Sequence, residues 1–349
     1  MPDLFFNNNP FKKRFYIGNR AIGKGEPCLI IAEAGVAHFG DMGLARELVQ
    51  LAVDGDADAF KIQTFDIDAL FVQEATEWRE RLRPRNLTLD QVLELKQLCD
   101  DAGLLFIMTP HDETRIQWLK ELDVPAIKIG SGERNNTPFI RKLAQIGKPI
   151  ILSTGMYTEE DVLEARQAVQ AEGCDELALL HCVSSYPTPD SEVSLSSIDR
   201  LKVIFQGPVG FSDHTKDFLA VYGAVARGAK IIEKHITILQ NVPNAQDWKV
   251  SATPNDFPRL VQDIRRIETM LGDYKKSPAI SEASAEHSFL KSLVAKQDLP
   301  QGHKISEADL LAKRPGGGIP PNQISELIGR SLNYPLKMDE RITWQHFTV

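Results

Sequence analysis

His214 and His235 occupy matching places in the stretch 210–237, GFSDHTKDFLAVYGAVARGAKIIEKHIT. Each follows a short apolar run. Between them, residues 218–226 are apolar and small, and Gly228 precedes a second run at 229–232. The pattern predicts strand end, helix, turn, strand and strand end again. In a parallel βαβ unit the carboxyl ends of neighbouring strands lie side by side, so the two imidazoles converge at one rim. Two neutral imidazoles there suit a borderline divalent metal such as Mn, Fe, Co or Zn. The plainer alternative is that each ring only hydrogen-bonds its own loop.

Two lysines are as unusual. Lys61 lies in DAFKIQTF and Lys128 in PAIKIGSGE, each inside an apolar run. A lysine within a strand is costly unless its charge is matched or its head escapes to solvent. Thr109, Ser131, Ser153 and Ser212 fall at equivalent strand ends, and together with the lysines they predict a phosphate or carboxylate ligand. A Schiff-base lysine is the alternative, although a metal and an imine are two routes to the same carbonyl activation. The remaining polar residues at these ends are Glu33 and His38, Gln63, His111, Thr154, His181 and Ser184, Asp213 and Lys234.

Such residues must be carried by a repeating scaffold. Apolar strand-like runs occur at 28–33, 57–61, 104–108, 126–129, 149–152, 177–180, 209–211 and 231–233, each followed by a helical pattern. Helix starts are marked by the capping box of Thr88 to Gln91, by Thr137-Pro138, by Thr158 and by Asn255. Residues 65–87, long and charged, interrupt the rhythm. Eight strand–helix repeats predict an α/β protein with a closed (β/α)8 TIM barrel. A doubly wound open sheet fits less well, since no G-x-G-x-x-G follows the first strand. The barrel, with an N-terminal extension, takes residues 1–272. Residues 273–289 are polar and Ser/Ala-rich and read as a linker, and 290–349 as a small second domain.

Composition narrows the function further. The 349 residues carry a net charge of −8, from 40 Lys and Arg against 48 Asp and Glu. With no basic stripe, this argues against nucleic-acid binding. The four cysteines, at 28, 99, 174 and 182, show no paired spacing, which suits reduced thiols in the cytoplasm. The amino terminus does not read as a signal peptide, and no run reaches membrane-spanning length.

The motifs taken in order are IAEAGVAHFGDMGLARELV, ADAFKIQTF, FIMTP, AIKIGSGERNN, KPIILSTGM, LLHCVSSYPTP, GFSDHT and IIEKHIT, with AKRPGGGI after the linker. From about residue 15 to 349 the chain resembles the N-acylneuraminate (sialic acid) synthase family, the phosphoenolpyruvate-dependent nonulosonate synthases. The resemblance implies a barrel followed by a small antifreeze-like (SAF) domain, in a homodimer whose swapped small domains close the partners' barrels. It implies condensation of phosphoenolpyruvate with an open-chain N-acyl hexosamine, giving a nonulosonic acid and phosphate. It also implies a divalent metal on His214 and His235, Mn2+ first and Mg2+ or Co2+ as alternatives. By the same carry-over, Lys61, Thr109, Lys128, Ser131, Ser153, Ser184 and Ser212 hold phosphoenolpyruvate. Glu33 handles a proton or activates water, and Gln63, Glu133, Tyr186, Asp247 and Arg314 meet the sugar.

Three departures bear on the sugar rather than the reaction. Ala37 stands where the family's E-x-G-x-N-H motif has Asn, Ser184 lies where an Asn is common, and residues 66–88 do not follow the family pattern. Products of legionaminic, deaminated or pseudaminic type therefore stay open beside a sialic acid. So does a shorter phosphoenolpyruvate–aldose condensation, and, outside enzymes, a carbohydrate-binding protein.

Overall fold

In the computed structural model, residues 11–347 are described except Asn244 and Gln246. The first ten residues of the expected N-terminal extension and the last two of the chain lie outside the described residues. The chain forms two compact units, 1–272 and 273–349.

The first unit opens with an antiparallel hairpin, β1 (Arg14–Ile17) and β2 (Arg20–Gly23). Eight parallel strands follow: β3 (Leu29–Gly35), β4 (Ala59–Thr64), β5 (Leu105–Pro110), β6 (Ile127–Ile129), β7 (Ile150–Ser153), β8 (Leu177–His181), β9 (Val209–Asp213) and β10 (Ile231–His235). They close into a barrel, with β10 paired to β3. Closure removes the open-sheet alternative.

Strand side chains alternate between two faces, and here both faces are buried. Leu29, Ile31, Ala59, Ile107, Ile151, Ala178, Leu180 and Ile231 form the apolar layer inside the barrel. Phe15, Ile17 and Ile22 of the hairpin join that layer. Ile30, Ala32, Phe60, Ile62, Phe106, Met108, Ile127, Ile129 and Ile232 face the helices instead. Continuing the alternation toward the carboxyl ends assigns Glu33, Lys61, Thr109, Lys128, Ser153, Ser212, Glu233 and His235 to the inside. It assigns Lys234 and Asp213 to the outside. That outer pair is fully buried between strand and helix layer, joined by an ion pair. Lys234 Nζ also donates to the carbonyls of Thr215 at 2.8 Å and Asp217 at 3.2 Å.

Several local expectations are corrected. Thr137 does not cap its helix: the helix is Thr137–Ala144, the cap position is Asn136, and no side-chain cap bond forms. Asn255 is not a cap either, because the last barrel helix is Phe257–Leu271 with Asp256 at the cap position. In both cases Pro138 or Pro258 lies in the first turn, where a fixed φ starts a helix without a side-chain cap. After β5 the chain makes a 3-10 turn, Glu113–Arg115, followed by a short helix, Ile116–Glu121. Thr88 and Thr158 do form capping boxes.

Residues 65–87 hold two short helices, Ile67–Leu70 and Thr76–Leu82, and a 3-10 turn, Arg83–Arg85. Buried Arg115 ties this segment to the barrel, donating to the Phe65 carbonyl at 2.6 Å and to Asn86 Oδ1 at 3.5 Å. No helix among the described residues is long and apolar enough to cross a membrane.

The second unit has its own core, including Leu293, Leu299, Ile305, Leu327, Leu336 and Ile342. Its strands β11 (Ser292–Ala295) and β12 (Leu310–Lys313) pair antiparallel. Within 273–289, Ala283–Phe289 is a short helix. After Ser306 the chain makes a single 3-10 turn, Glu307–Asp309.

Replacing Lys234 with Met strands the Asp213 carboxylate in an apolar layer. Equilibrium urea unfolding is expected to show a loss of about 3–5 kcal/mol. A change below ~1 kcal/mol, the range of an exposed pair, would show that Asp213 reaches water.

Candidate active site

At the carboxyl end of the barrel the inward side chains turn from apolar to charged. They line a cavity of about 290 Å³. Strand register sets the neighbours. Glu33 is level with Lys61 on one side and His235 on the other, Gln63 with Thr109, and Glu233 with Ser212.

Four charges form one buried array. Lys61 Nζ lies 2.9 Å from Glu33 Oε2 and 3.4 Å from Glu233 Oε2, and donates to Thr109 Oγ1 at 3.2 Å. Lys128 Nζ lies 3.9 Å from Glu233 Oε1. It donates to Ser153 Oγ at 2.7 Å and to the Ile129 carbonyl at 3.1 Å. Ser212 Oγ donates to Glu233 Oε1 at 2.9 Å, and Gln63 Nε2 to Glu33 Oε1 at 2.9 Å.

Burial is the largest influence on both ammonium groups and works against their charge. For Lys61 the Glu233 and Glu33 carboxylates outweigh it, and the pKa ends above the ordinary lysine value. For Lys128 burial prevails over Glu233, Lys61 adds to it, and the pKa ends below. Burial also pushes the Glu233 carboxyl up, but Lys128 and Lys61 overcome it and hold the group ionised. His111 lines the same space and is pushed down to about 4, by burial and then by the two lysines. It stays neutral, with Nε2 3.3 Å from Gln63 Oε1.

The two histidines meet as the strand ends predicted, with ring centroids 5.6 Å apart. The Tyr186 ring lies beside both, 4.1 Å from His214 and 5.8 Å from His235. His214 Nδ1 donates to the Val183 carbonyl at 2.7 Å, which leaves Nε2 with a free lone pair. Burial, and then His235, lower the His214 pKa to about 3, so the ring stays neutral. His235 Nδ1 is buried with no hydrogen-bond partner among the described residues. The His214 ring aimed by a carbonyl, and the His235 ring with an orphaned nitrogen, fit a divalent cation. No cluster of three or more His, Cys, Asp or Glu in ligand geometry occurs among the described residues. Other ligands would have to be substrate or water, as in open catalytic sites.

Ser131 and Ser184 line the cavity beside Gly155. Ser131 Oγ accepts from the Gly155 amide at 3.0 Å and lies 3.2 Å from Cys182 Sγ. A Cβ on Gly155 would come within 2.4 Å of Ser184 Oγ and 2.8 Å of Ser131 Oγ, so only glycine allows this approach.

Glu33, Lys61, Gln63, Thr109, Lys128, Ser131, Ser153, Ser184, Tyr186, Ser212, His214 and His235 all line the one cavity. Glu133 and Asp247 do not. Glu133 is buried and accepts from Asn136 Nδ2 at 2.8 Å. Asp247 begins a 3-10 turn, Asp247–Lys249. It reaches the site through its charge: burial first, and then Asp247, raise the Tyr186 phenol well above its ordinary value. Arg314 belongs to the second unit, where its Nε donates to the Phe289 carbonyl at 2.9 Å and its guanidinium lies 5.2 Å from the Phe289 ring.

Other strand-end residues serve the scaffold. His181 Nε2 bonds the Val193 carbonyl at 2.7 Å, and Thr154 Oγ1 donates to the Leu180 carbonyl at 2.9 Å. His38 accepts from the Gly40 amide at 3.0 Å, and Ala37 is packed in the outer core. Sequence reasoning missed Glu233 and Cys182. Counting back two residues from His235 in IIEKHIT would have placed Glu233 on the same inner face.

The NeuB family model matches residues 48–276 and the SAF domain model residues 291–348. An uncharacterized protein of Methanocaldococcus jannaschii is 40% identical over 332 residues, covering 95% of this chain and 98% of its own. The N,N'-diacetyllegionaminic acid synthase of Legionella pneumophila is 37% identical over 346 residues, covering 94% of this chain and 97% of its own. Among solved structures, the N-acetylneuraminic acid (sialic acid) synthetase of Leptospira borgpetersenii, in complex with citrate, superposes with a TM-score of 0.74 at 34% identity. It covers 79% of this chain and 96% of that one.

Glu233→Gln removes the main influence that raises the Lys128 pKa. An ammonium with a depressed pKa loses its charge as pH rises through that value, so a further drop moves the loss to lower pH. With inorganic phosphate as an anionic probe followed by calorimetry, the alkaline loss of anion affinity is expected to move to lower pH in this variant. An unmoved limb would show that Glu233 does not tune the lysines.

Proposed function

We propose a reaction from one premise: this chain belongs to the NeuB family. It is a carbon–carbon bond-forming enzyme that condenses phosphoenolpyruvate with an open-chain N-acyl hexosamine, giving a nonulosonic acid and phosphate. The observation that carries this reading is the union of the Lys61–Glu233–Lys128 array and the histidine pair in one cavity.

Phosphoenolpyruvate presents a carboxylate and a phosphate, and Lys61 and Lys128 offer two buried cations for them. Thr109 and Ser153 already accept from the lysines, which leaves their hydroxyl protons to donate to the anion. Glu233 keeps the ammonium groups charged and ordered before the anion arrives. Carbon 3 of the enol phosphate attacks the sugar aldehyde, water adds at carbon 2, and phosphate leaves by carbon–oxygen cleavage. Glu33, fixed by Gln63 and Lys61, takes the proton released as that water adds. His214 and His235 would hold a divalent cation, with Mn2+ the first choice and Mg2+ or Co2+ next. When bound, the cation supplies Lewis acidity that polarises the aldehyde.

Gln63 and Tyr186, which line the cavity, would meet the sugar, and Glu133 and Asp247, also assigned to it by family likeness, would act from outside that lining. Arg314 would reach it from the small domain of a partner in a swapped homodimer. Free thiols at Cys28, Cys99, Cys174 and Cys182 suit a reducing compartment, so the proposed location is the cytoplasm.

Phosphate release from phosphoenolpyruvate is expected with an N-acyl hexosamine present, to stop on chelation and to return with Mn2+. His214→Ala and His235→Ala are each expected to lower kcat at least about a hundredfold, a few kcal/mol of barrier. Full turnover in stripped enzyme would remove the metal from the reading. Inactive Arg314→Ala and inactive His214→Ala chains, refolded as an equal mixture, are expected to recover about a quarter of wild-type activity, because one site of each mixed dimer is intact. No recovery would show that Arg314 serves its own barrel or none.

A further inference from the structure

A concavity of about 530 Å³ lies in the first unit at the opposite end of the strands from the active site. Its lining includes Val209, the first residue of β9, and Lys230, which immediately precedes β10. Ser212 and His235, toward the other ends of the same two strands, line the active-site cavity.

Four lysines from separate parts of the chain meet here: Lys13 before β1, Lys24 after β2, Lys202 in the helix Ser196–Phe205, and Lys230. No Asp or Glu is among the described residues that line the concavity. That is unusual in a chain of net charge −8, where Lys12, Lys142 and Lys148 each lie within 3.0 Å of a carboxylate. The Lys13 and Lys24 ammonium groups have no hydrogen-bond or ion-pair partner among the described residues. Lys230 Nζ donates to the Glu26 carbonyl at 2.8 Å, a neutral acceptor. Lys202 Nζ donates to the Arg227 carbonyl and lies 3.4 Å from Asp199 Oδ1, but Arg227 pairs with the other oxygen of that carboxylate. One carboxylate, shared with an arginine, is therefore all that these contacts set against four ammonium groups. Like charges gathered this way repel, and an anion from outside would offset them.

The ligand class follows from charge and size. Each ammonium is a compact cation with three N–H donors, suited to phosphate oxygens through charge-assisted hydrogen bonds. One phosphate group carries about −1.5 to −2 at pH 7, so four ammonium groups are matched by two phosphate groups. The volume lies in the range that small organic ligands fill, and buried Pro208 and Val209 give the concavity an apolar side. We propose that this concavity binds a diphosphate group, free or carried by a nucleotide, apart from the reaction at the other end of the barrel.

The full-length chain is treated with acetic anhydride at low salt, with and without pyrophosphate or ADP, and acetylation is read lysine by lysine by mass spectrometry. Lys13, Lys24, Lys202 and Lys230 are expected to be protected together, about threefold or more, while exposed Lys120 and Lys304 keep their rates. Added salt is expected to weaken the protection. Anion binding in the active site is read separately, at Lys61 and Lys128. In Lys13→Gln/Lys24→Gln, protecting Lys202 and Lys230 is expected to need about tenfold more pyrophosphate, with an unchanged midpoint of urea unfolding. Protection by ADP at a lower concentration than pyrophosphate assigns a nucleotide-type ligand, and the equal or reverse order assigns the free diphosphate. Protection that spreads equally to Lys120 and Lys304 means an adventitious ion only and overturns the proposal. So does a lack of protection at the four lysines, or an unchanged pyrophosphate requirement in the double variant.

Discussion

Two cations and two anions share the mouth of the barrel, nearly all of their surface covered by protein, and the rest of the site is arranged around that fact. Lys61, Lys128, Glu33 and Glu233 are each nearly fully buried. Removing any one would leave an uncompensated charge in a low-dielectric setting, which is far more costly than losing an exposed pair. The array is therefore over-determined by hydrogen bonds donated by Gln63 and Ser212 and accepted by Thr109 and Ser153. Pre-ordering of this kind lets a multiply charged small ligand exchange partners instead of creating new order on arrival.

The same fold houses a second buried ion pair that does no chemistry. Lys234 and Asp213 sit one residue away from site positions on the same strands, and strand alternation sends them to the opposite face. Two rules thus separate the reacting charges from the structural ones. Parity decides which face a side chain meets, and height along the strand decides whether it meets apolar filler or cavity.

Much of this could be read from the chain itself. Lys61 and Lys128 stood out because a charge inside an apolar run is rarely idle, and His214 and His235 because matched strand ends bring like residues together. The eight-fold rhythm gave the closed barrel for the same reason. Glu233 stayed hidden because it lies in a run read only as the last buried strand, and its partners are 21 or more positions away. Helix starts at Thr137 and Asn255 were misplaced because a nearby proline begins the turn without help from a side-chain cap. The two short helices of residues 65–87 carry little periodicity. Long-range anchors such as Arg115 hold that segment down, and no local pattern announces them.

The seam where β10 meets β3 joins positions about two hundred residues apart, and Glu33 and His235 are opposite one another across it. A chain still leaving the ribosome can build strands three to nine in sequence, but it cannot zip that seam until residue 235 has emerged. Loop-closure entropy makes such distant pairing a late event in folding. Glu233, one of the four charges, and His235 join the site only at that step. Nascent or partly folded chains therefore hold no competent centre, and activity becomes a direct report that the ring of strands has closed.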